Sequence, residues 1–339
     1  FSRVEFVEPD LGSRTKLITQ LLKLGWSPIH FTEKGNPKLT YEGEPCTSLE
    51  EIDSEIGQWI AHWYIYNHRQ SQILGWIKKL RPDGRLTAEA ITIGTPTYRF
   101  THKTVVNVPR TTSLYGYEMR SLFIPSDGYV MVGHDASGLE LRMLAHYLND
   151  DAYIKEILNG DIHTKNQGDA GLPSRDDAKT FIYAFLYGAG DAKIGSIVGG
   201  TKADGARLKA KFLRNTPALA NLRERVEKAA ARGWLLGLDG RRIQVRSSHA
   251  ALNTLLQGAG AVVMKKALVQ LDRMATAQKL NYHFVGNIHD EIQAEVAQRD
   301  AEAFGKCAAF AIAQAGRALN LRCPLAGGYD IGINWRETH

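Results

Sequence analysis

Cysteine is scarce. There are three in 339 residues (Cys46, Cys307 and Cys323), too few and too scattered for a disulfide framework or a zinc site, so the sequence predicts a reducing, intracellular setting. Long apolar runs are missing too: no stretch approaches the roughly 18 uninterrupted apolar residues of a membrane-spanning helix. There is no low-complexity tract, no internal repeat, and no secretory signal pattern in the first residues. The chain begins at Phe1, not Met, and reads as a fragment, a processed product, or a chain whose start lies outside this sequence. What is present is ordinary for a globular protein: 44% hydrophobic and 23% charged residues exclude a disordered or collagen-like chain. A length of 339 residues predicts two or three lobes. Lys plus Arg number 42 against 36 Asp plus Glu, a net charge of +6 that suits a polyanionic partner, although many soluble proteins are as basic.

Periodicity organises the chain. Residues 15–26 read as a short amphipathic helix stopped by Gly25. Residues 47–80 have apolar positions at helical spacing, with Thr47 or Ser48 as N-cap and acids in the first turn. RPDGR (81–85) is a turn and the first candidate boundary. LTAEAITIG and YVMVGHD are strand-like. From about 139 to 233 the pattern is mostly helical. WLLGLDGRRIQVRS then reads as a hairpin turning at Asp239-Gly240. A long helix starts near His249, a second hairpin is HFVGNIHDEIQAEV, and a helix follows it. A helical block inserted between two β-containing blocks is the main architectural clue, and the fold class expected is α+β.

Two acidic positions stand out. Asp135 falls where a buried strand ends, a place where a carboxylate beside exposed carbonyls can hold a hard cation; it also reads as an N-cap for the helix that follows. Asp290 and Glu291 sit in a tight turn between strands. Turns favour Asp for backbone reasons, but two adjacent acids repel unless a cation or solvent compensates. Together, strand-end acids from separate β elements suggest a paired-metal site acting at phosphorus, as in nucleases, phosphatases and polymerases.

RDDAKTFIYAFLYGAG narrows the choice. Arg175, Lys179, Tyr183 and Tyr187 are each four apart and form a slowly drifting stripe on one helix face. Cations near the start can grip phosphates, and a ring further along can stack on a base. Gly188 leaves room for close approach. The order matches a nucleoside triphosphate, although a half-buried helix with solvated charges has the same spacing. His163 and Lys165 add possible phosphate contacts. Asn253 and Gln257, also four apart, could donate to minor-groove acceptors or simply lie on a helix surface.

DASGLELR (135–142), RDDAKTFIYAFLYG (175–188) and HDE (289–291) resemble, in the right order, motifs A, B and C of the family A DNA polymerases. EILNGDIHTKNQ, GLDGRR, HAALNTLLQ and the ending NWRETH add to the likeness, which is nearest to the family's short-tailed-phage branch. The resemblance implies a right-hand fold with an antiparallel-sheet palm, helical fingers and a partial thumb. Its parts would be 1–85 as partial thumb and palm-linked segment, 86–148 as the first part of the palm, 149–235 as fingers, and 236–339 as the second part of the palm. It implies template-directed DNA synthesis in phage genome replication, in the host cytoplasm, with primer-template DNA and deoxynucleoside triphosphates as partners and no membrane. Asp135, Asp290 and the Ala136 carbonyl would bind two Mg²⁺ ions, which Mn²⁺ could replace, with Glu291 in support. Arg175, Lys179 and His163 would hold the triphosphate, and Lys179 could protonate the leaving pyrophosphate. Tyr183 would pack beside sugar and base, and Glu140 would exclude a ribose 2′-hydroxyl. Tyr187, Gly188, Arg99, Asn253, Gln257 and His289 would contact template and primer, and Arg142 would support the set.

One segment, TPTYRFTHKTVVNVPR, departs from the family pattern: Tyr98 stands where a small residue usually precedes the matching Arg. The chain has no room for an editing exonuclease, so on this resemblance either the rest lies in a longer precursor or a separate exonuclease or thumb polypeptide, or a processivity factor, supplies it, and a chain inactive without it is the chief alternative. A single-subunit RNA polymerase, a metal-dependent nuclease and a non-catalytic DNA-binding subunit are the rival classes.

Overall fold

The computed structural model describes residues 10–32, 35–41, 44–288 and 290–338. The chain divides into two compact units, one made of 1–89 and 102–123, the other of 90–101 and 124–339. The segment 86–148 is therefore shared between them.

In the first unit, helix α1 (Arg14–Lys23) buries Leu17 and Leu21, four apart on one face, and ends before Gly25, which takes a φ of +95°. Strands β1 (Thr40–Tyr41) and β2 (Glu44–Pro45) form a minimal ribbon. The helix expected over 47–80 is shorter. Thr47–Leu49 is a 3₁₀ turn, and α2 (Glu55–Ile77) is capped by Ser54, whose hydroxyl accepts from the Gly57 N–H. Ser48 cannot cap α2 because it is buried and its hydroxyl accepts from the Trp26 indole, 3.1 Å away. Leu39, Leu49, Ile52, Ala61 and Ile65 complete this core. The returning segment 102–123, which contains α3 (Gly116–Ser121), packs on α2 through Trp76: its indole N–H donates to the Thr104 carbonyl, and its ring lies 5.0 Å from Phe123.

The second unit holds the expected antiparallel sheet. Only Ala90–Ile91 (β3) of the strand-like run 86–94 is strand; it and β4 (Thr101–His102) lie where the chain passes between units. Strand β5 (Tyr129–Ala136) is followed by seven helices: α4 (Leu139–Leu148), α5 (Asp151–Asn159), α6 (Ile162–Ala170), α7 (Arg175–Leu186), α8 (Asp191–Ser196), α9 (Lys202–Asn215) and α10 (Pro217–Ala230). The hairpin β6 (Trp234–Leu236) and β7 (Arg242–Gln244) comes next, then α11 (Ala251–Ala277), β8 (Tyr282–Ile288), β9 (Glu291–Ala297), α12 (Ala301–Ala318) and β10 (Gly327–Gly332). The sheet runs β10-β5-β9-β8, with every neighbour antiparallel.

Strand alternation gives this sheet two different faces. Val132, Ala294 and Val296 point into a core with Leu271 and Ala275 of α11 and Phe304, Ala308 and Ala311 of α12. The other face carries Gly133, Asp135, Glu291 and Gln293, since residues opposite each other in an antiparallel pair share a face. A C-terminal 3₁₀ turn, Trp335–Thr338, closes over part of it. Gly133 is what allows this: a Cβ there would lie 2.2 Å from the Thr338 carbonyl oxygen and 2.4 Å from Gln293 Nε2. The helical block packs into a larger core that it shares with α11 and α12, and in it Phe181 and Phe185 of α7 pack edge-on against Phe212 of α9, with centroids 5.2 and 5.4 Å apart. Among the described residues no helix is long and apolar enough to cross a membrane.

Candidate active site

Register places the acids. Asp135, the last residue but one of β5, lies directly opposite Glu291 of β9, and Ile288 pairs with Glu291 across the β8–β9 turn that contains Asp290. Asp135 and Asp290 thus belong to the same end of adjacent strands. Asp135 is exposed and Asp290 half-buried. Asp135 does not cap α4: the capping position is Gly138, in the left-handed region. His289, the third residue of the acidic motif, lies outside the described residues.

Glu291 is held in a buried hydrogen-bond network. It is 6% exposed; its Oε1 accepts from the Trp335 indole N–H at 2.7 Å and from Gln293 Nε2 at 2.6 Å. Gln293 also donates to the Thr338 carbonyl and accepts from the Thr338 hydroxyl. This buried carboxylate therefore ties β9 to the C-terminal turn. His134, beside Asp135, is buried as well; burial pulls its pKa down to about 4, with Glu291 opposing the shift.

The stripe on α7 is as the spacing predicts. Ala178, Phe181, Ile182, Phe185 and Leu186 are buried, which leaves Arg175 and Lys179 exposed, Tyr183 half-buried, and Tyr187 exposed at the C-cap. The stripe and the acids share one electrostatic neighbourhood. Burial raises the Tyr183 and Tyr187 phenols first, and the charges of Glu140 and Asp290 push both further up. The Tyr187 hydroxyl donates to the Glu140 carboxylate, 2.6 and 2.7 Å from its two oxygens, and Arg99 donates to the same carboxylate at 3.2 Å. With the Arg99 and Glu140 side chains only 20% and 14% exposed, this ion pair is partly screened from water. Gly188 takes a φ of +75°, and a Cβ there would meet the His249 carbonyl at 2.8 Å, so its first need for glycine is a close backbone approach.

On α6, His163 stands with its ring 6.3 Å from Tyr183 and its buried Nδ1 lacks a hydrogen-bond partner. Burial lowers its pKa, and the Arg175 and Lys179 cations lower it further against an opposing Asp161. Arg175 is ion-paired: its Nε donates to Asp161 Oδ2 at 2.6 Å and its Nη2 to Oδ1 at 3.3 Å. Asp161 also caps α6 by accepting from the His163 and Thr164 N–H groups. Sequence reasoning missed this partner, although an Asp immediately before a helix was the available signal.

The Arg175 bonds, then the Thr164 hydroxyl, hold the Asp161 carboxyl well below the usual carboxylate range. Because the folded carboxyl is the more acidic one, the pair's contribution is fully present above the unfolded Asp pKa of about 3.9 and is lost progressively as the pH falls from there through the lower folded pKa. Asp161→Asn keeps the cap and deletes the charge. The small gap in melting temperature between this variant and wild type is expected to hold from pH 6 to about pH 4 and to narrow as the pH falls below that; a gap that widened would contradict the pairing.

The remaining positions are placed as follows. Arg142 donates to the Ser137 carbonyl at 2.8 Å and to the Pro324 carbonyl, and so braces the turn that follows Asp135. Asn253 and Gln257 lie half-buried on α11. Among the described residues no group of three or more His, Cys, Asp or Glu side chains forms a protein-only metal cage. Two carboxylates and a backbone carbonyl at a strand end are nonetheless a hard-oxygen donor set. They suit Mg²⁺, which usually takes one or two protein carboxylates and completes its shell with substrate phosphates and water.

Comparison with known proteins fits this geometry. The family model described as DNA polymerase family A matches residues 5–337. The chain is 38% identical to the DNA-directed DNA polymerase of Enterobacteria phage T3 and 37% identical to that of Escherichia phage T7, in each case over 100% of this chain and 54% of the relative. It is 37% identical to the DNA-directed DNA polymerase of Escherichia phage Phieco32, over 92% of this chain and 67% of the relative. The chain thus spans about half the length of the T3 and T7 relatives. Its fold is that of the POL domain of Pol1 from M. smegmatis, solved with DNA primer-template and dNTP: the TM-score is 0.82 at 20% identity, covering 97% of this chain and 61% of that one.

Proposed function

We propose that this chain, which belongs to DNA polymerase family A, extends a DNA primer along a DNA template by adding deoxynucleoside triphosphates to the 3′-hydroxyl. The observation that carries the reading is the pairing of two strand-end carboxylates, Asp135 and Asp290, with a helix face ordered as two cations and then two tyrosines, the last of which bonds Glu140 on the helix that follows Asp135. A nuclease would need only the acids.

Asp135, Asp290 and the Ala136 carbonyl would hold two Mg²⁺ ions, or Mn²⁺ in their place. When bound, these ions supply acidification of the primer hydroxyl and neutralisation of phosphate charge. The rest is done by side chains. Arg175 would exchange Asp161 for the triphosphate, with Lys179 and His163 beside it. Lys179 would give a proton to the departing pyrophosphate. Tyr183 would pack on the sugar and base. Glu140, held by Arg99 and Tyr187, would occupy the space a 2′-hydroxyl needs. Tyr187, Gly188, Arg99, Asn253, Gln257 and His289 would line the template and primer. In this reading 149–235 are fingers, 86–148 and 236–339 palm, and 1–85 part of a thumb. Action in the host cytoplasm accords with the phage relatives.

Primer extension with Mg²⁺ tests the proposal. Deoxynucleotides are expected to support synthesis and ribonucleotides to fail. Equal use of ribonucleotides would favour an RNA polymerase, and cleavage of single strands without nucleotides a nuclease. Since the chain spans about half the T3 and T7 relatives, a second reading is a catalytic subunit that needs a further polypeptide, such as an exonuclease, thumb or processivity subunit. Primer-template binding without extension would select it.

A further inference from the structure

Tyr98 has a φ of +61°, a conformation that a residue with a Cβ enters only at an energetic cost. Such a torsion persists where its surroundings over-determine it, and here three parts of the second unit do so. Within the turn, the Tyr98 N–H donates to the Thr95 carbonyl at 3.0 Å, and the Arg99 N–H donates to the Thr95 hydroxyl at 2.9 Å. From α11, Lys265 donates to the Tyr98 carbonyl at 2.6 Å and also to the Thr92 carbonyl. From the β6–β7 hairpin, the Arg242 carbonyl accepts from the Tyr98 hydroxyl at 2.6 Å, and the Arg241 guanidinium lies 4.6 Å from the centre of the phenol ring. Arg241 is itself held by Asp239 of the hairpin turn.

A fixed torsion at Tyr98 sets the direction in which the next residue leaves the turn. That residue is Arg99, whose guanidinium reaches Glu140, and Glu140 accepts in turn from Tyr187. We propose that Tyr98 is a positioning residue for sugar selection, clamping the backbone so that Arg99 holds Glu140 in the path of a ribose 2′-hydroxyl. The proposal rests on the polymerase reading, in which Glu140 is the sugar gate. The phenol is the separable part of the device: it ties a turn near residue 98 to a hairpin more than 140 residues later.

The test uses Tyr98→Phe, which keeps the ring and removes only the bond to Arg242, and Tyr98→Gly, which suits the left-handed backbone but keeps neither side-chain contact. The readout is the ratio of kcat/KM for deoxynucleotide over ribonucleotide, with melting temperature as the check on folding. In Tyr98→Phe the ratio is expected to fall about three- to tenfold, the loss of one hydrogen bond, and in Tyr98→Gly further. The ribonucleotide value should rise more than the deoxynucleotide value changes, which a purely structural role would not produce. Extension by both variants with an unchanged ratio overturns the proposal alone. A wild-type chain that neither binds primer-template nor extends it overturns the polymerase reading, and this proposal with it.

Discussion

Asp290→Ala is expected to lower primer extension at least about a thousandfold while the protein stays folded. The residue is half-buried and lies outside the strands, between β8 and β9. Its removal therefore costs little packing. What it removes is one of two carboxylates at the strand end, and a metal-centred charge term is worth several kcal/mol at the transition state. Since about 1.4 kcal/mol is tenfold in rate, some 4 kcal/mol gives the thousandfold. Asp135→Ala should match it. Chelation of Mg²⁺ should abolish wild-type extension, and added Mg²⁺ should restore it. Extension assays beside thermal melts decide the matter: an Asp290→Ala protein that melts like wild type and still extends primers within tenfold would remove Asp290 from the chemistry.

Glu291→Ala, one residue away, is expected to do the reverse. Its main effect should be a loss of roughly 2–5 kcal/mol in stability, read by urea denaturation. Glu291 is buried, and its carboxylate receives the Trp335 indole and the Gln293 amide. Alanine would strand both donors, and each buried unsatisfied group costs about 1–3 kcal/mol. Glu291→Gln leaves an oxygen that can accept both bonds, so it should retain most of the stability. Equal losses in the two variants would mean that the carboxylate is not the hub of this network. Adjacent acids in one motif would thus separate cleanly, one by rate and the other by stability.

That separation could not be read from HDE as a string. Asp135, Asp290 and the α7 stripe were legible because each depends on local pattern: a strand that ends, a turn between strands, a four-residue helical repeat. The Asp239-Gly240 hairpin was legible for the same reason, and Gly240 has the positive φ such a turn requires. What was not legible depends on distant partners. Ser48 looked like a helix cap, but Trp26 takes its hydroxyl. Strand β10, GGYDIG, lacks strand-forming composition and exists because β5 pairs with it along six residues. The Trp335 and Thr338 contacts to Glu291 and Gln293 span more than forty positions. Tyr98 was visible as a departure from the family pattern, but nothing local announced that Arg242 would hold it.

The sheet also fixes the order in which a growing chain can assemble. Asp135 lies on β5, whose two neighbours, β9 and β10, arrive only after the seven helices of the insertion and all of α11. Roughly 150 residues separate Asp135 from its partner Glu291, and at about 5–20 residues per second a ribosome needs on the order of 8–30 s to supply them. Throughout that interval β5 has two unpaired edges and carries Met131 and Val132 with no sheet beside it. Within the helical block, sequence neighbours such as α6 and α7 can pack on each other earlier, although the core they share with α11 and α12 is completed only later. Asp135 gains its sheet partners last, so an interrupted translation product would carry Arg175 and Lys179 without the paired strand end that holds Asp135 and Asp290, and would expose a strand edge to aggregation or chaperone capture.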